Sequence, residues 1–263
     1  MEFNDILYSK HAGIARITIN REKVMNAFRG ETVEEMILAL RDADNDPEVG
    51  VVVLAGAGER AFCTGGDQSS HDGKYTGRGV VGLPVEELHT AIRDCRVPVI
   101  ARVQGYAIGG GNVLCTLCDI TIASEKAIFG QVGPKVGSVD PGWGTAYLAR
   151  IVGEKKAREL WYFCRRYTAA QAEEMGLVNI VVRHEELDAT VDAWCVELLE
   201  KSPTAVAIAK RSFNADSDNI RGISNAGIEA LALFYQTEES KEGSRAFREK
   251  RKPDFRGARD RSR

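Results

Sequence analysis

The chain has 263 residues, 44% of them hydrophobic and 28% charged, with a net charge of -3 at pH 7. That is enough chain to bury a substantial core in one large domain or two small ones. The slightly acidic balance argues against general nucleic-acid binding, and no apolar run approaches the roughly 20 residues of a membrane-spanning helix.

The first ten residues, MEFNDILYSK, lack the basic-then-apolar pattern of a secretory signal. Ile14 to Ile19 (IARITI) predicts a strand. Thr32 to Asp42 predicts a helix with Val33, Met36, Ile37 and Leu40 on its apolar face. Val51 to Ala55, Val99 to Val103 and Ile120 to Ala123 are continuous apolar runs suited to strands buried on both faces. Between them the sequence predicts a glycine-rich loop over 56–82, a helix over Val85 to Asp94, and another opening at Gly109-Gly110-Gly111. Beyond Gly144 the pattern is helical: Glu154 to Arg165, Ala169 to Met175, Glu185 to Lys201, Thr204 to Asn214, then about 224–238 and 240–250. Strands with crossover helices followed by a helical end indicate an α/β core carrying a helical C-terminal region.

Six cysteines lie scattered in apolar or helical contexts, the usage of reduced thiols in the cytoplasm. Cys115 and Cys118 form a CxxC without a second pair or nearby histidine to complete a zinc set, and predict a buried pair on an apolar helix. Lys250 to Arg263 carries seven basic residues against Asp254 and Asp260. Its end reads as a solvated tail, and its start, Phe247 to Lys252, as a segment able to meet a phosphate-bearing ligand.

Gly56-Ala57-Gly58 lacks the third glycine and the following helix of a dinucleotide fold. No GxxxxGK[ST], HExxH or GxSxG is present, so kinase, zinc-protease and serine-hydrolase readings lose their anchors. Two other clusters are more informative. Ala61-Phe62-Cys63-Thr64-Gly65-Gly66-Asp67 follows one apolar strand, and Gln104-Gly105-Tyr106-Ala107-Ile108-Gly109-Gly110-Gly111 follows the next. Either alone is more often a tight turn. Together, with Gly110 near a helix N-terminus, they can present two backbone amides to a developing oxyanion.

These loops resemble those of the crotonase, or enoyl-CoA hydratase/isomerase, superfamily. The likeness runs from Lys23-Val24-Met25-Asn26-Ala27 through both glycine loops to the C-terminal helices. It implies an α/β crotonase (ClpP-like) spiral of ββα units over 1–200 and a helical trimerisation region over 201–263. It further implies a homo-trimer or homo-hexamer acting on an acyl-coenzyme A, which enters as substrate, with no separate cofactor or metal. The implied oxyanion hole is formed by the amides of Gly66 and Gly110. Implied substrate or coenzyme A contacts fall on Lys23, Val24, Ala27, Ala61, Gly65, Asp67, Gln68, Tyr75, Gln131, Val132, Gly133, Phe247 and Lys250.

The superfamily shares the hole and varies its acids and bases. Hydratases of that superfamily carry one glutamate where this chain has Val113 and a second where it has Gly133, so plain hydration is not expected. Asp140 lies among small and apolar residues, where a carboxylate's pKa can rise, although an aspartate in such a turn is commonly a cap. The segment Gly130 to Gly144 resembles that of two superfamily branches, the 2-ketocyclohexanecarboxyl-CoA hydrolases and the 1,4-dihydroxy-2-naphthoyl-CoA synthases. Their catalytic Ser and Asp fall on Ser138 and Asp140. A matching tyrosine falls on Tyr235, implied to reach the site of a neighbouring subunit. The segment Gln68 to Gly79 and the stretch Gly82 to Thr90 favour the hydrolase branch. So does Val132, where bicarbonate-using synthases carry threonine. A coenzyme A-binding scaffold without turnover is the non-enzymatic rival. Tyr75 is expected to close over the ring. His71 is expected to be an exposed loop residue, and His89, at helical spacing with Val85, Leu88 and Ile92, to be structural.

Overall fold

The computed structural model describes residues 2–68, 75 and 77–259. The chain opens with a hairpin, β1 (Ile6–His11) and β2 (Ile14–Ile19), paired antiparallel with His11 opposite Ile14. Ala12 and Gly13, both at positive φ, make its two-residue turn. Helix α1 (Gly30–Asn45) buries Val33, Met36, Ile37 and Leu40, the face expected from their spacing.

Three successive units then repeat one plan: a long strand, a short strand in a second sheet, and a helix. They are β3 (Val51–Gly56), β4 (Ala61–Cys63) and α2 (Val85–Asp94); β5 (Val99–Val103), β6 (Tyr106–Ile108) and α3 (Gly110–Leu117); β7 (Ile120–Ser124), β8 (Ile128–Gly130) and α4 (Gly133–Val136). A π-helical turn over Trp143–Tyr147 leads into α5 (Leu148–Val152) and α6 (Glu154–Phe163). Strand β9 (Arg166–Thr168), α7 (Ala169–Glu174), β10 (Ile180–Val182) and α8 (Leu187–Leu199) complete the core. The long strands and the three-residue β10 form a sheet ordered β1-β2-β3-β5-β7-β10, parallel from β2 onward, and the other short ones a sheet ordered β4-β6-β8-β9. This is the expected spiral of ββα units with a helical C-terminal end.

Continuous apolar strands follow from burial on both faces. One face of the long sheet meets α1, α2 and α3 in the main core. The other packs Val51, Val53, Ile100 and Ile122 against Leu187, Val191 and Cys195 of α8. Corners between the sheets are tied by buried amides. The Gln104 Nε2 donates to the carbonyls of Gly56, Gly58 and Ala61, and the Asn26 Nδ2 to those of Ala57 and Ala61. The expected uniform loop over 56–82 therefore contains a strand, β4, which hangs the first glycine cluster at a fixed height.

Cys115 is buried within α3, and Cys118 is buried at its C-terminal end. Three helices finish the chain: α9 (Pro203–Asp216), α10 (Asn219–Phe234) and α11 (Glu238–Arg248), followed by the short turn α12 (Phe255–Ala258). Ser202 and Thr237 cap α9 and α11 through their side-chain oxygens. Phe213, Leu233 and Ile208 project apolar side chains outward from α9 and α10. Among the described residues no helix is long and apolar enough to cross a membrane.

Candidate active site

The second sheet sets the two glycine loops side by side. After β4, Gly66 forms a parallel bridge with Phe28: the Phe28 amide donates to the Gly65 carbonyl at 2.9 Å, and the Asp67 amide to the Phe28 carbonyl at 2.8 Å. Strand alternation then turns the Gly66 amide to the opposite side, toward the pocket. After β6, Gly110 is the first residue of α3, where the helix offers its amide no partner. A Cβ placed on Gly65 would lie 2.8 Å from the Gly110 nitrogen, so the two loops are in backbone contact. Two amides and a helix dipole thus converge on one spot, suited to an oxyanion.

This spot opens into a cavity of about 890 Å³. Along its walls lie Gly66, Gly110, Ser138, Asp140 and Tyr235, together with Val24, Ala27, Gly65, Asp67, Gln68, Tyr75, Gln131, Val132, Gly133, Phe247 and Lys250. Two sequence-based assignments fall elsewhere. Lys23 is exposed beside Val24 rather than in the wall, and Ala61 is buried with its carbonyl occupied by Asn26 and Gln104. Ala61 therefore supports the corner instead of touching a ligand. Asp67 reaches the wall, but its carboxylate pairs with Arg21 at 3.0 Å. Gln131 is fully buried, its amide nitrogen donating to the Asn112 Oδ1 at 3.0 Å. Met25, Phe28, Lys135, Trp161 and Arg166 also line the cavity. Nothing in their spacing singles them out. His71 lies outside the described residues.

The candidate acid–base groups share the cavity with the two glycine loops, carried by the 137–147 segment and the end of α10. The Asp140 Oδ1 accepts from the Gly144 amide at 2.9 Å, which fixes the carboxyl's orientation. Burial pushes its pKa up, opposed by His89 and by that amide. Ser138 Oγ and the Tyr235 hydroxyl are 2.7 Å apart. Burial pushes the Tyr235 phenol up to about 12, so at neutral pH it keeps its proton and can donate it to a carbonyl.

Tyr235 reaches this site within its own chain, not across to a neighbour. The reason is close backbone contact. A Cβ on Gly227 of α10 would fall 2.3 Å from Pro141, and one on Gly243 of α11 would fall 2.3 Å from Val136. Bare glycines let both helices press onto the loop that carries Asp140. Ser240 of α11 adds a hydrogen bond to the Gly137 carbonyl at 2.8 Å.

Tyr75 lies over the hole: its hydroxyl is 3.1 Å from the Gln68 Nε2, and a Cβ on Gly66 would fall 2.1 Å from it. Burial, Tyr235 and Asp67 all raise its pKa, so it too stays protonated. His89 packs on the buried face of α2, as its spacing predicts, and it also faces Asp140. It is buried on α2 with Nε2 3.9 Å from the Asp140 Oδ2. Its helical spacing matches an apolar face, and only the tertiary fold shows what lies opposite.

Tyr235→Phe keeps the ring and removes the hydroxyl. It is expected to lower turnover about 10²-fold, the lower end of what loss of one oriented donor costs, while costing about 1 kcal/mol of stability. Ser138→Ala should do much the same, and the double variant should fall short of the product of the two. A double-mutant cycle on kcat and on unfolding checks the coupling.

The profile of the enoyl-CoA hydratase/isomerase family matches residues 9–258. Among solved structures, an enoyl-CoA hydratase from Mycobacterium avium subsp. paratuberculosis K-10 is 29% identical with a TM-score of 0.87, covering 97% of this chain and 99% of that one. A carnitinyl-CoA hydratase from Mycobacterium avium is 30% identical, TM-score 0.82, over 96% of this chain and 98% of that one. An enoyl-CoA hydratase/isomerase from Pseudoalteromonas atlantica T6c is 26% identical, TM-score 0.87, over 96% and 100%.

Proposed function

Because the chain belongs to the enoyl-CoA hydratase/isomerase family of the crotonase superfamily and acts on a coenzyme A thioester, we propose that it opens the ring of an alicyclic β-keto acyl-CoA by adding water. The 2-ketocyclohexanecarboxyl thioester, giving pimeloyl-CoA, is the substrate that the resemblance of segments 68–79 and 82–90, together with Val132, favours. One observation carries the reading: the pocket's acid–base set is Asp140 with the Ser138–Tyr235 pair, and both places where hydratases hold glutamate are apolar or empty.

Val113 is fully buried behind Asp140, its methyl 3.0 Å from where a Cβ on Gly144 would be. At Gly133 a Cβ would fall 2.5 Å from the Ser138 carbonyl and 2.7 Å from Trp161. No carboxylate side chain fits there without moving backbone. The hydratases among the similar structures are thus relatives in fold, and on the proposed reading this chain differs where a hydratase would activate water for a double bond.

In the proposed reaction, Asp140 takes a proton from water as its oxygen attacks the ring ketone, and the resulting alkoxide accepts a hydrogen bond from Tyr235, itself held by Ser138. Collapse re-forms the carbonyl as a carboxylic acid and breaks its bond to the carbon α to the thioester. That electron pair passes to the thioester oxygen, where the Gly66 and Gly110 amides hold it as an enolate. Asp140 then returns its proton to the α-carbon, and the product leaves one water heavier than the substrate.

The test is incubation of the purified protein with 2-ketocyclohexanecarboxyl-CoA and, separately, with o-succinylbenzoyl-CoA, followed by product mass. Ring opening of the first supports the reading. Ring closure of the second alone would make the protein a naphthoyl-CoA synthase, and coenzyme A binding without either would make it a scaffold. A homo-trimer or homo-hexamer built through 201–263 belongs to the same proposal. The outward Ile208, Phe213 and Leu233 support it, and a monomeric mass by analytical ultracentrifugation would remove it.

A further inference from the structure

Asp140 has a second neighbour that the mechanism above does not use. His89 projects from α2 behind the carboxyl, with Nε2 3.9 Å from Oδ2, while Oδ1 is taken by the Gly144 amide. The imidazole is 4% exposed, and among the described residues its Nδ1 has no hydrogen-bond partner. Leaving a buried polar atom unpaired costs about 1–3 kcal/mol. An apolar side chain of similar size would fill the same space without that cost, so packing alone does not account for a histidine here.

The frame around it is stiff. One turn along α2, the buried Arg93 guanidinium stacks 4.7 Å from both the Trp143 and Tyr147 rings and donates to the Ser217 Oγ at 2.7 Å. That locks the His89 face of α2 against the π-helical turn that carries Gly144. Closing the 3.9 Å gap by less than 1 Å would make a hydrogen bond, a tightening common when a substrate fills an active site.

We propose that His89 is a positioning residue for Asp140: in its Nε2–H tautomer it points a donor at Oδ2 and keeps the carboxylate ionised and aimed at the attacking water. The proposal rests on the reading of Asp140 as the base. Several groups set the balance at that carboxyl. His89 and the Gly144 amide favour the charged form. Glu86 on α2, its own pKa raised by burial, by Glu229 of α10 and by Asp140, repels that form. Tyr235, at the end of α10, and the Ser138 hydroxyl flank it as neutral donors. Burial lowers the pKa of His89, so the imidazole acts as a neutral donor.

Removing the donor must therefore raise the pKa of Asp140, and the acid limb of kcat/KM must move to higher pH. His89→Leu is the test, with His89→Gln, which retains an amide donor near the Nε2 position, as the rescue. The expected result for His89→Leu is a melting temperature equal to or above the parent's, an unchanged KM, roughly tenfold or more loss of kcat, and the shifted acid limb. His89→Gln should stay close to the parent.

A readout free of substrate separates this idea from the ring-opening reading. The carboxyl titration of Asp140, read as the infrared band that Asp140→Asn abolishes, should move to higher pH in His89→Leu. If that band moves but the parent protein opens no ring, the positioning role stands and the ring-opening reading falls. If the band titrates alike in parent and His89→Leu, His89 does not position Asp140, whatever the activity. Should His89→Leu fail to fold, His89→Asn, polar but too short to reach Oδ2, carries the same comparison.

Discussion

Asp140→Asn is expected to lower turnover in the proposed ring opening at least ~10²-fold while leaving the fold and coenzyme A affinity as they are. The asparagine oxygen can still accept from the Gly144 amide, now 2.9 Å from Oδ1, so the turn that holds Gly144 survives. What disappears is a group able to take a proton from water and give one to carbon. Among the described residues no second carboxylate of the cavity wall can replace it, because Asp67 is committed to Arg21 and Val113 and Gly133 offer none. Single-turnover measurement of product mass, with calorimetric titration of coenzyme A as the control, decides the matter. Near-normal turnover by this variant would remove Asp140 from the mechanism.

How far the sequence alone reaches depends on the range of the interaction that fixes each element. The long strands are legible because burial on both faces leaves an unbroken apolar run, and α1 and α2 because each presents one apolar face. The short strands β4, β6 and β8 have three residues each, too few for any periodicity, and they form only because successive turns of the spiral stack them. The first hairpin escapes the sequence for a local reason. Its turn is Ala12-Gly13 without the usual asparagine or aspartate, and Leu7, Ser9, Lys10 and His11 leave β1 largely exposed.

The candidate site divides the same way. Glycines at 65, 66 and 109–111 signal bare backbone in the sequence itself. Ser138, Asp140 and Tyr235 stand out through resemblance, but the chain that supplies Tyr235 depends on how tightly α10 seats on Pro141, a matter of tertiary packing. His89 shows the limit most sharply. A histidine at helical spacing with Val85, Leu88 and Ile92 reads as packing, and only the crossing of α2 behind the 137–147 segment sets it against a carboxylate.

Gly65→Ala is expected to damage catalysis nearly as much, without touching an acid or a base. Gly65 sits at φ +86°, a conformation that costs an L-residue roughly 1–2 kcal/mol. Its new Cβ would also fall 2.8 Å from the Gly110 nitrogen and 3.4 Å from the Ile108 carbonyl. The nearest of these is backbone, so one loop must move away from the other. An oxyanion hole works through donors held at fixed positions before charge develops, and spreading Gly66 from Gly110 takes at least one amide off its mark. Loss of one such donor costs about 10²- to 10³-fold in kcat, and that is the expected effect, with melting lowered by the strain and KM little changed. The split is informative: in the proposed reaction the thioester tail would be held largely by other walls of the cavity, whereas the enolate would exist only in the transition state and beyond it. A fall in affinity with kcat preserved would mean that the two glycine loops serve to hold the substrate and not its developing charge.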